Sequence, residues 1–202
     1  MSSVYERSAP VYNAVSRLLV FERKLRNAAA QALGAPERVL DVGCGTGFQF
    51  AHLPASTRHV IGVDLSPSSL AVAHKVAAKR GLAFIGIVGD MADTILPAHS
   101  FDAAIGVFSM SVIPRWEMAL TRCVKAVKPG GKIVRLEQER VTRGTARLFN
   151  PLAQVVNQLL GADNTRSYGP TLEAMGCSVE KHPAWGGLYA LTVAVKPKAA
   201  AR

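Results

Sequence analysis

Apolar and polar positions along the chain alternate between short runs and longer stripes. Five runs, at 39–42, 59–64, 84–88, 103–107 and 132–137, are short, largely apolar and bounded by turn residues. Runs without strict alternation suit strands covered on both faces. Between them, apolar residues recur at three- and four-residue steps and predict helices over 11–33 (one helix or two short ones), 70–80 and 115–128. The first stripe runs through Ala14, Leu18, Phe21, Leu25, Ala28 or Ala29, and Ala32, with Arg17, Arg23, Lys24 and Arg26 mostly elsewhere, and it ends at Gly34 and Pro36. Ser66 and Pro67 form a helix start, and Gly81 closes that helix. After residue 138 the pattern changes to a helix over 146–160, a polar loop over 161–168, a short helix over 171–175 and an antiparallel strand pair over 178–181 and 188–195. Residues 196–202 carry no pattern and are expected to form a disordered tail. Strands alternating with helices predict an α/β, doubly wound, mostly parallel sheet in one domain, with ligands at the carboxyl ends of the strands.

Candidate chemistry gathers at those ends. The first strand runs into Asp41-Val42-Gly43-Cys44-Gly45-Thr46-Gly47-Phe48, a glycine loop flanked by an acid. A dinucleotide fingerprint, G-x-G-x-x-G, needs a glycine at 48, where Phe48 stands. A carboxylate beside the loop repels a pyrophosphate and pairs with a cation, so the loop favours a cationic, phosphate-free ligand. Asp64 ends the second strand, about 20 residues after the first loop glycine, the spacing at which an acid meets a ribose diol. Asp90 follows the third strand, where a carboxylate can accept from an exocyclic amine, and Met91 beside it either covers a flat ring or packs in the core. His74 and His182 read as surface residues.

Composition adjusts this picture in three ways. The 202 residues, 49% hydrophobic and 19% charged, exclude disorder along most of the length. Cys44, Cys123 and Cys177 are scattered and odd in number, which points to reduced thiols in a cytoplasm rather than to a disulfide framework or a metal site. A formal charge of +10 attracts polyanions: nucleic acid, an anionic bilayer surface or an acidic metabolite. A basic amphipathic first helix is compatible with packing on a core, with covering a pocket, or with lying peripherally on the inner face of a membrane. No run is long enough to span one.

Taken together, residues 38–137 resemble the class I S-adenosylmethionine-dependent methyltransferases. Leu40 to Gly47 is similar to that family's first motif, Gly62-Val63-Asp64-Leu65-Ser66 to its second, Gly89-Asp90-Met91 to its third, and Val127-Lys128-Pro129-Gly130-Gly131 to the turn before its fifth strand. The resemblance implies a Rossmann-like seven-stranded sheet with an antiparallel final strand and a helical cap over residues 1–35. It also implies S-adenosylmethionine as cofactor, S-adenosylhomocysteine as product, and no metal. The cofactor residues it implies are Asp41 near the amino group, Gly43, Cys44, Gly45 and Gly47 in the loop, Asp64 and Leu65 at the ribose, Asp90 and Met91 at the adenine, and Val107.

The opening Tyr5-Glu6-Arg7-Ser8-Ala9-Pro10-Val11-Tyr12-Asn13 is similar to the start of two groups in that class. These are the ubiquinone/menaquinone biosynthesis methyltransferases and the small bacterial phosphatidylethanolamine N-methyltransferases; the 21–23 and 112–114 stretches look most like the second. The expectation is therefore methylation of a phospholipid amine at an anionic membrane surface. The alternatives are a soluble enzyme acting on the O, N or S of a quinone precursor or other small molecule, and a cofactor-binding module without catalysis. Tyr5, Tyr12 and Glu137 are the catalytic candidates, with Glu137 alternatively a structural strand-end acid. Glu139 lies nearby. Tyr5, Tyr12, Phe108, Arg140 and Arg143 are candidates for holding the acceptor, the arginines because guanidinium pairs bidentately with phosphate. Nucleic acid is not an expected partner: the stretch after the fourth strand, Val107-Phe108-Ser109-Met110, lacks the Asn/Asp-Pro-Pro-aromatic motif of base-amine methyltransferases.

Overall fold

A computed structural model describes residues 20–139, 151, 161–184 and 187–198. Seven strands form one sheet in the order β3-β2-β1-β4-β5-β7-β6. They are β1 (Arg38–Val42), β2 (His59–Asp64), β3 (Ala83–Val88), β4 (Phe101–Val107), β5 (Val127–Gln138), β6 (Ser178–Ala184) and β7 (Tyr189–Val195). The first five pair in parallel, and β7 runs antiparallel to both β5 and β6.

Helices cover both faces. On one, α1 (Val20–Ala32) and α2 (Pro67–Lys79) bury Leu25, Ala29, Leu33, Leu70, Ala73 and Ala77 against Val39, Val60, Ala103, Ile105, Val134 and Leu136. On the other, α3 (Trp116–Ala126) and α4 (Tyr168–Ala174) bury Ala119, Leu120, Cys123 and Leu172 against Leu40, Val42, Ala104 and Ile133. Neighbouring strand residues supply opposite faces, so the apolar runs are continuous because both sides are covered. The Ser66 hydroxyl accepts from the Ser69 N–H at 3.2 Å and Pro67 opens α2, as the cap pattern predicts.

One open reading is decided, for packing on the core, and two expectations are corrected. The described part of the first helix spends its apolar face on the sheet, with Leu25, Ala29 and Ala30 buried and Ala28 exposed, so that face is not free for a bilayer. The fifth strand begins at Val127 rather than 132: Phe101 pairs with Val127 and Ala103 with Lys132, and the Lys128–Gly131 turn is accommodated as an irregularity in one strand. Lys196, expected in the tail, belongs to the fold. Lys196 is tied by backbone bonds to Gly130 and Gly131, and its Nζ donates to the Val124 and Val127 carbonyls at 2.7 and 2.8 Å. Residues 1–19, most of the helix expected over 146–160, and residues 199–202 lie outside the described residues. Among the described residues, no helix is long and apolar enough to cross a membrane.

Candidate active site

The carboxyl ends of β1, β2 and β4 meet at the glycine loop. The N–H groups of Gly43 and Cys44 donate to the Val63 carbonyl at 2.8 and 3.3 Å, which fastens the loop to β2. Gly43 has φ +64, and a Cβ placed on it lies 2.5 Å from the Ser109 Cβ, so the loop following β4 sits directly on this glycine. Gly45 has φ +53 but open space where a Cβ would project, which makes it the bare stretch of backbone that a ligand can approach. Gly47 lies under the Phe50 ring in the short 3₁₀ turn Phe48–His52. The Cys44 side chain packs back towards Gly62, buried, and burial raises its thiol well above the ordinary range. It belongs to the core, and only the backbone of that residue is part of the loop.

Asp41 lies beneath the loop, 2% exposed, with Oδ2 lacking a hydrogen-bond partner among the described residues. Burial pushes its carboxyl up to about 8; Arg26 pulls the other way and Asp64 adds to the rise. A carboxylate so placed gains from a cation. Asp64 holds the loop from the side, accepting from the Gly45 N–H at 2.8 Å and the Ser66 N–H at 2.9 Å. Leu65 beside it is 64% exposed, an apolar platform at the site's edge. Asp90 is engaged: Oδ1 accepts from the Ala92 N–H at 2.8 Å and Oδ2 from Arg115 at 3.1 Å, while Arg115 also pairs with Asp93. Met91 is buried in the core beneath the sheet, so its side chain packs there rather than covering a ring at the surface. Val107 is 8% exposed at the end of β4.

The loop after β4 is held under strain. Phe108 has φ +57, a left-handed conformation unusual for an aromatic residue, and its N–H donates to the Leu136 carbonyl at 2.9 Å. The Ser109 hydroxyl donates to the Val42 carbonyl, locking this loop to β1. Glu137, expected as a candidate base, is 1% exposed, and its Oε1 accepts from the N–H groups of Ser109 and Met110 at 2.9 and 2.7 Å. Burial raises its carboxyl, against the pull of Arg135 and of hydrogen bonds from Ser111, Met110 and Ser109. A fully buried carboxyl group that accepts from two backbone donors positions the loop, the structural role that its strand-end place also allowed.

Sequence reasoning named Phe108 but missed the residues that gather around it. Arg26 donates to Glu22 at 2.7 and 2.9 Å, both side chains almost fully buried, and its guanidinium lies 4.7 Å from the Phe48 ring centre and 5.3 Å from that of Phe108. The Phe108 and Tyr189 rings meet edge to face at 5.7 Å. The signal was present: Glu22 and Arg26 are spaced i, i+4 in favourable order, and Arg26 follows Leu25 on the stripe. Charged residues read as solvated, however, and Tyr189 reads as an ordinary strand residue. Tyr5, Tyr12, Arg140 and Arg143 lie outside the described residues. His74 and His182 are exposed, as expected.

Residues 39–131 match the family described as "Methyltransferase domain". The chain is 32% identical over 198 residues to a demethylmenaquinone methyltransferase of Thermus thermophilus, across 95% of this chain and 90% of that one. This chain belongs to the class I S-adenosylmethionine-dependent methyltransferases. A ubiquinone/menaquinone biosynthesis C-methyltransferase of Syntrophotalea carbinolica is 31% identical, covering 91% of this methyltransferase and 79% of that relative. A SAM-dependent methyltransferase from Thermotoga maritima shares the fold at a TM-score of 0.74 and 20% identity, covering 97% of this chain and all of that one. The methyltransferase is thus an enzyme using S-adenosylmethionine, and the non-catalytic alternative is set aside. Its glycine loop fits that cofactor: a cationic, phosphate-free ligand suits the open backbone at Gly45 and the orphaned Asp41 oxygen. A phospholipid amine acceptor and a membrane surface find no support in these relatives, whose names concern quinones.

Proposed function

We propose that this methyltransferase methylates a ring carbon of a hydroquinone-type aromatic acceptor, as in quinone biosynthesis. The observation that carries this reading is the nearly end-to-end match to a relative named for demethylmenaquinone. The geometry supports it: Phe48, Phe108 and Tyr189 with Arg26 gather aromatic faces beside the loop after β4, and flat rings stack and pack on such surfaces. S-adenosylmethionine, when bound, would supply an electrophilic methyl group on a sulfonium: the carbon–sulfur bond would break as the bond from methyl to an electron-rich ring carbon forms, with S-adenosylhomocysteine as leaving group and the ring carbon's proton released to solvent. The protein's part is positioning and exclusion of water. Asp41 holds the cationic amino group, Asp64 receives the ribose hydroxyls, and Leu65 and the Asp90 region receive the adenine. Glu137 and Ser109 fix the loop carrying Phe108, so that the acceptor ring meets a wall already in place.

Radiolabelled methyl transfer tests the reading, with a 1,4-dihydroxynaphthalene and a substituted hydroquinone run beside phosphatidylethanolamine vesicles. Label is expected on a ring carbon, located by NMR of the product. Label in the phosphatidylethanolamine nitrogen, or on a ring oxygen alone, overturns it.

A further inference from the structure

A cavity of about 370 Å³ opens at the carboxyl rim of β5, between that strand, β7, β6 and the segment leading into α4. Its floor is one row across three strands, because Arg135 pairs with Thr192 and Thr192 with Lys181 in register. Paired residues on adjacent strands share a face, so the three side chains project together. Arg135 is 2% exposed, stacks 3.6 Å from the Tyr168 ring centre, and places Nη2 2.9 Å from Glu139, but Nε and Nη1 have no hydrogen-bond partner among the described residues. Glu139 is shared, pairing with Lys181 as well. Arg166 completes the wall, its Nη1 donating to the Met110 and Ile113 carbonyls at 2.7 and 2.6 Å. Among the described residues, three cations therefore line the cavity against one carboxylate, Glu139; Glu137 lies behind, buried, and Asp163 pairs with Arg166 outside the lining.

A buried guanidinium with two idle donors is under-compensated, and such groups persist where a ligand or ordered water completes them. Inorganic or organic oxyanions match it best, since arginine and lysine recognise carboxylate and phosphate through charge-assisted bonds. We propose that this cavity is an anion subsite that receives a carboxylate or phosphate group. Its floor centres on β7 and lies on the face of the sheet that α3 and α4 cover, whereas Phe108 and Tyr189 pack with α1 on the opposite face, so the subsite is separate from the cofactor loop and from that aromatic cluster. Arg166 ties the cavity wall to the turn after β4 through the Met110 and Ile113 carbonyls. The inference goes beyond the proposed function and does not depend on its acceptor.

Calorimetry on the full-length protein saturated with S-adenosylhomocysteine tests it, with inorganic phosphate, benzoate and monomeric dihexanoyl phosphatidic acid as probes. The wild type is expected to bind at least one. Lys181→Gln, on a half-exposed side chain at the rim, is expected to weaken that probe about tenfold while S-adenosylhomocysteine binds as before. Arg135→Gln is expected to abolish probe binding; should it fail to fold, Lys181→Gln with Arg135→Lys decides. Benzoate alone assigns the subsite to a carboxylate, the phosphatidic acid alone to a lipid phosphate, and inorganic phosphate to a free phosphate or simple ester. Binding of no probe, or equal binding by the variants, overturns the subsite and leaves the ring-methylation reading standing.

Discussion

The two halves of the sheet build their sites by different means. On the β3-β2-β1 side the site is made of backbone: a glycine loop fastened to Val63, with Asp41, Asp64 and Asp90 at three neighbouring strand ends. On the β5-β7-β6 side the proposed acceptor wall is made of long side chains from distant segments, Arg26 and Glu22 from α1, Phe108 from the loop after β4 and Tyr189 from β7. A cofactor common to many enzymes can be held by a short motif whose geometry is local. An acceptor particular to one enzyme is met by residues that only the tertiary fold brings together.

This contrast can be broken, and the largest effect is expected at Gly43. Gly43→Ala puts a methyl 2.5 Å from the Ser109 Cβ at a positive φ, so overpacking and left-handed strain together cost about 3 kcal/mol or more. Thermal melts should fall by roughly 10 °C, and calorimetry should show no S-adenosylhomocysteine binding. Adding Ser109→Gly should recover part of the stability. Gly45→Ala faces open space, so it should cost only about 1–2 kcal/mol of strain yet lose cofactor binding almost as completely. Equal melting losses in the two variants would sink the idea that the first glycine serves packing and the second the ligand.

Arg26→Met probes the other half. It leaves Glu22 buried without its cation and removes the guanidinium between Phe48 and Phe108, a loss of about 3–5 kcal/mol. Turnover should fall more than cofactor affinity. A double variant with Glu22→Gln should cost clearly less than the two single losses summed; additive losses would argue that the pair is not coupled.

The next effect is a pH dependence on the cofactor side. The folded Asp41 carboxyl keeps its proton to about pH 8, while the unfolded one releases it near pH 3.8. Between those values the native state binds more protons, so this residue makes the cofactor-free enzyme less stable as pH rises through the window. Asp41→Asn should remove that slope, so its melting temperature gains on the wild type between pH 5 and about pH 8. Cofactor affinity should move oppositely in the wild type, rising with pH as the carboxylate becomes available to the cation, and should flatten in the variant. Parallel melting profiles for the two proteins would contradict this. The smallest effect is expected at Leu65, 64% exposed: Leu65→Ser should weaken S-adenosylhomocysteine about fivefold, roughly 1 kcal/mol of apolar contact, with no change in melting.

Legibility from sequence follows the same divide. The order of elements, the strand ends and the loop could be read because apolar periodicity and capping act over a few residues, as at Ser66 and Pro67. Met91 and Cys44 went to the core because a small or flexible apolar side chain at a strand end can face either way, and the sheet decides. Glu137 reads as a base from its position, but the two backbone donors that occupy it come from a turn nearly thirty residues earlier. Arg26 and Arg135 could not be told from surface arginines, since Arg26 is covered only where α1 docks beside Phe48 and Phe108, and Arg135 only where Tyr168 of α4 stacks on it. The phospholipid expectation drew on short likenesses at 21–23 and 112–114. In the structure, Glu22 is an ion-pair residue and 112–114 is part of the turn that Arg166 anchors.

The placement of β7 between β5 and β6 bears on how the chain reaches its native state during synthesis. β1 to β4 find their partners among one another and can zip up as they emerge, each crossover closing a modest loop. β5 keeps an open edge, and β6 has no strand to lie against, until β7 has been made and slid between them. Such late, non-local pairing is slow and leaves an unpaired edge exposed to other chains. Pulsed hydrogen exchange during refolding should therefore find the amides of β1 and β2 protected before those of β6 and β7, with the acceptor half assembling onto a cofactor half that already exists.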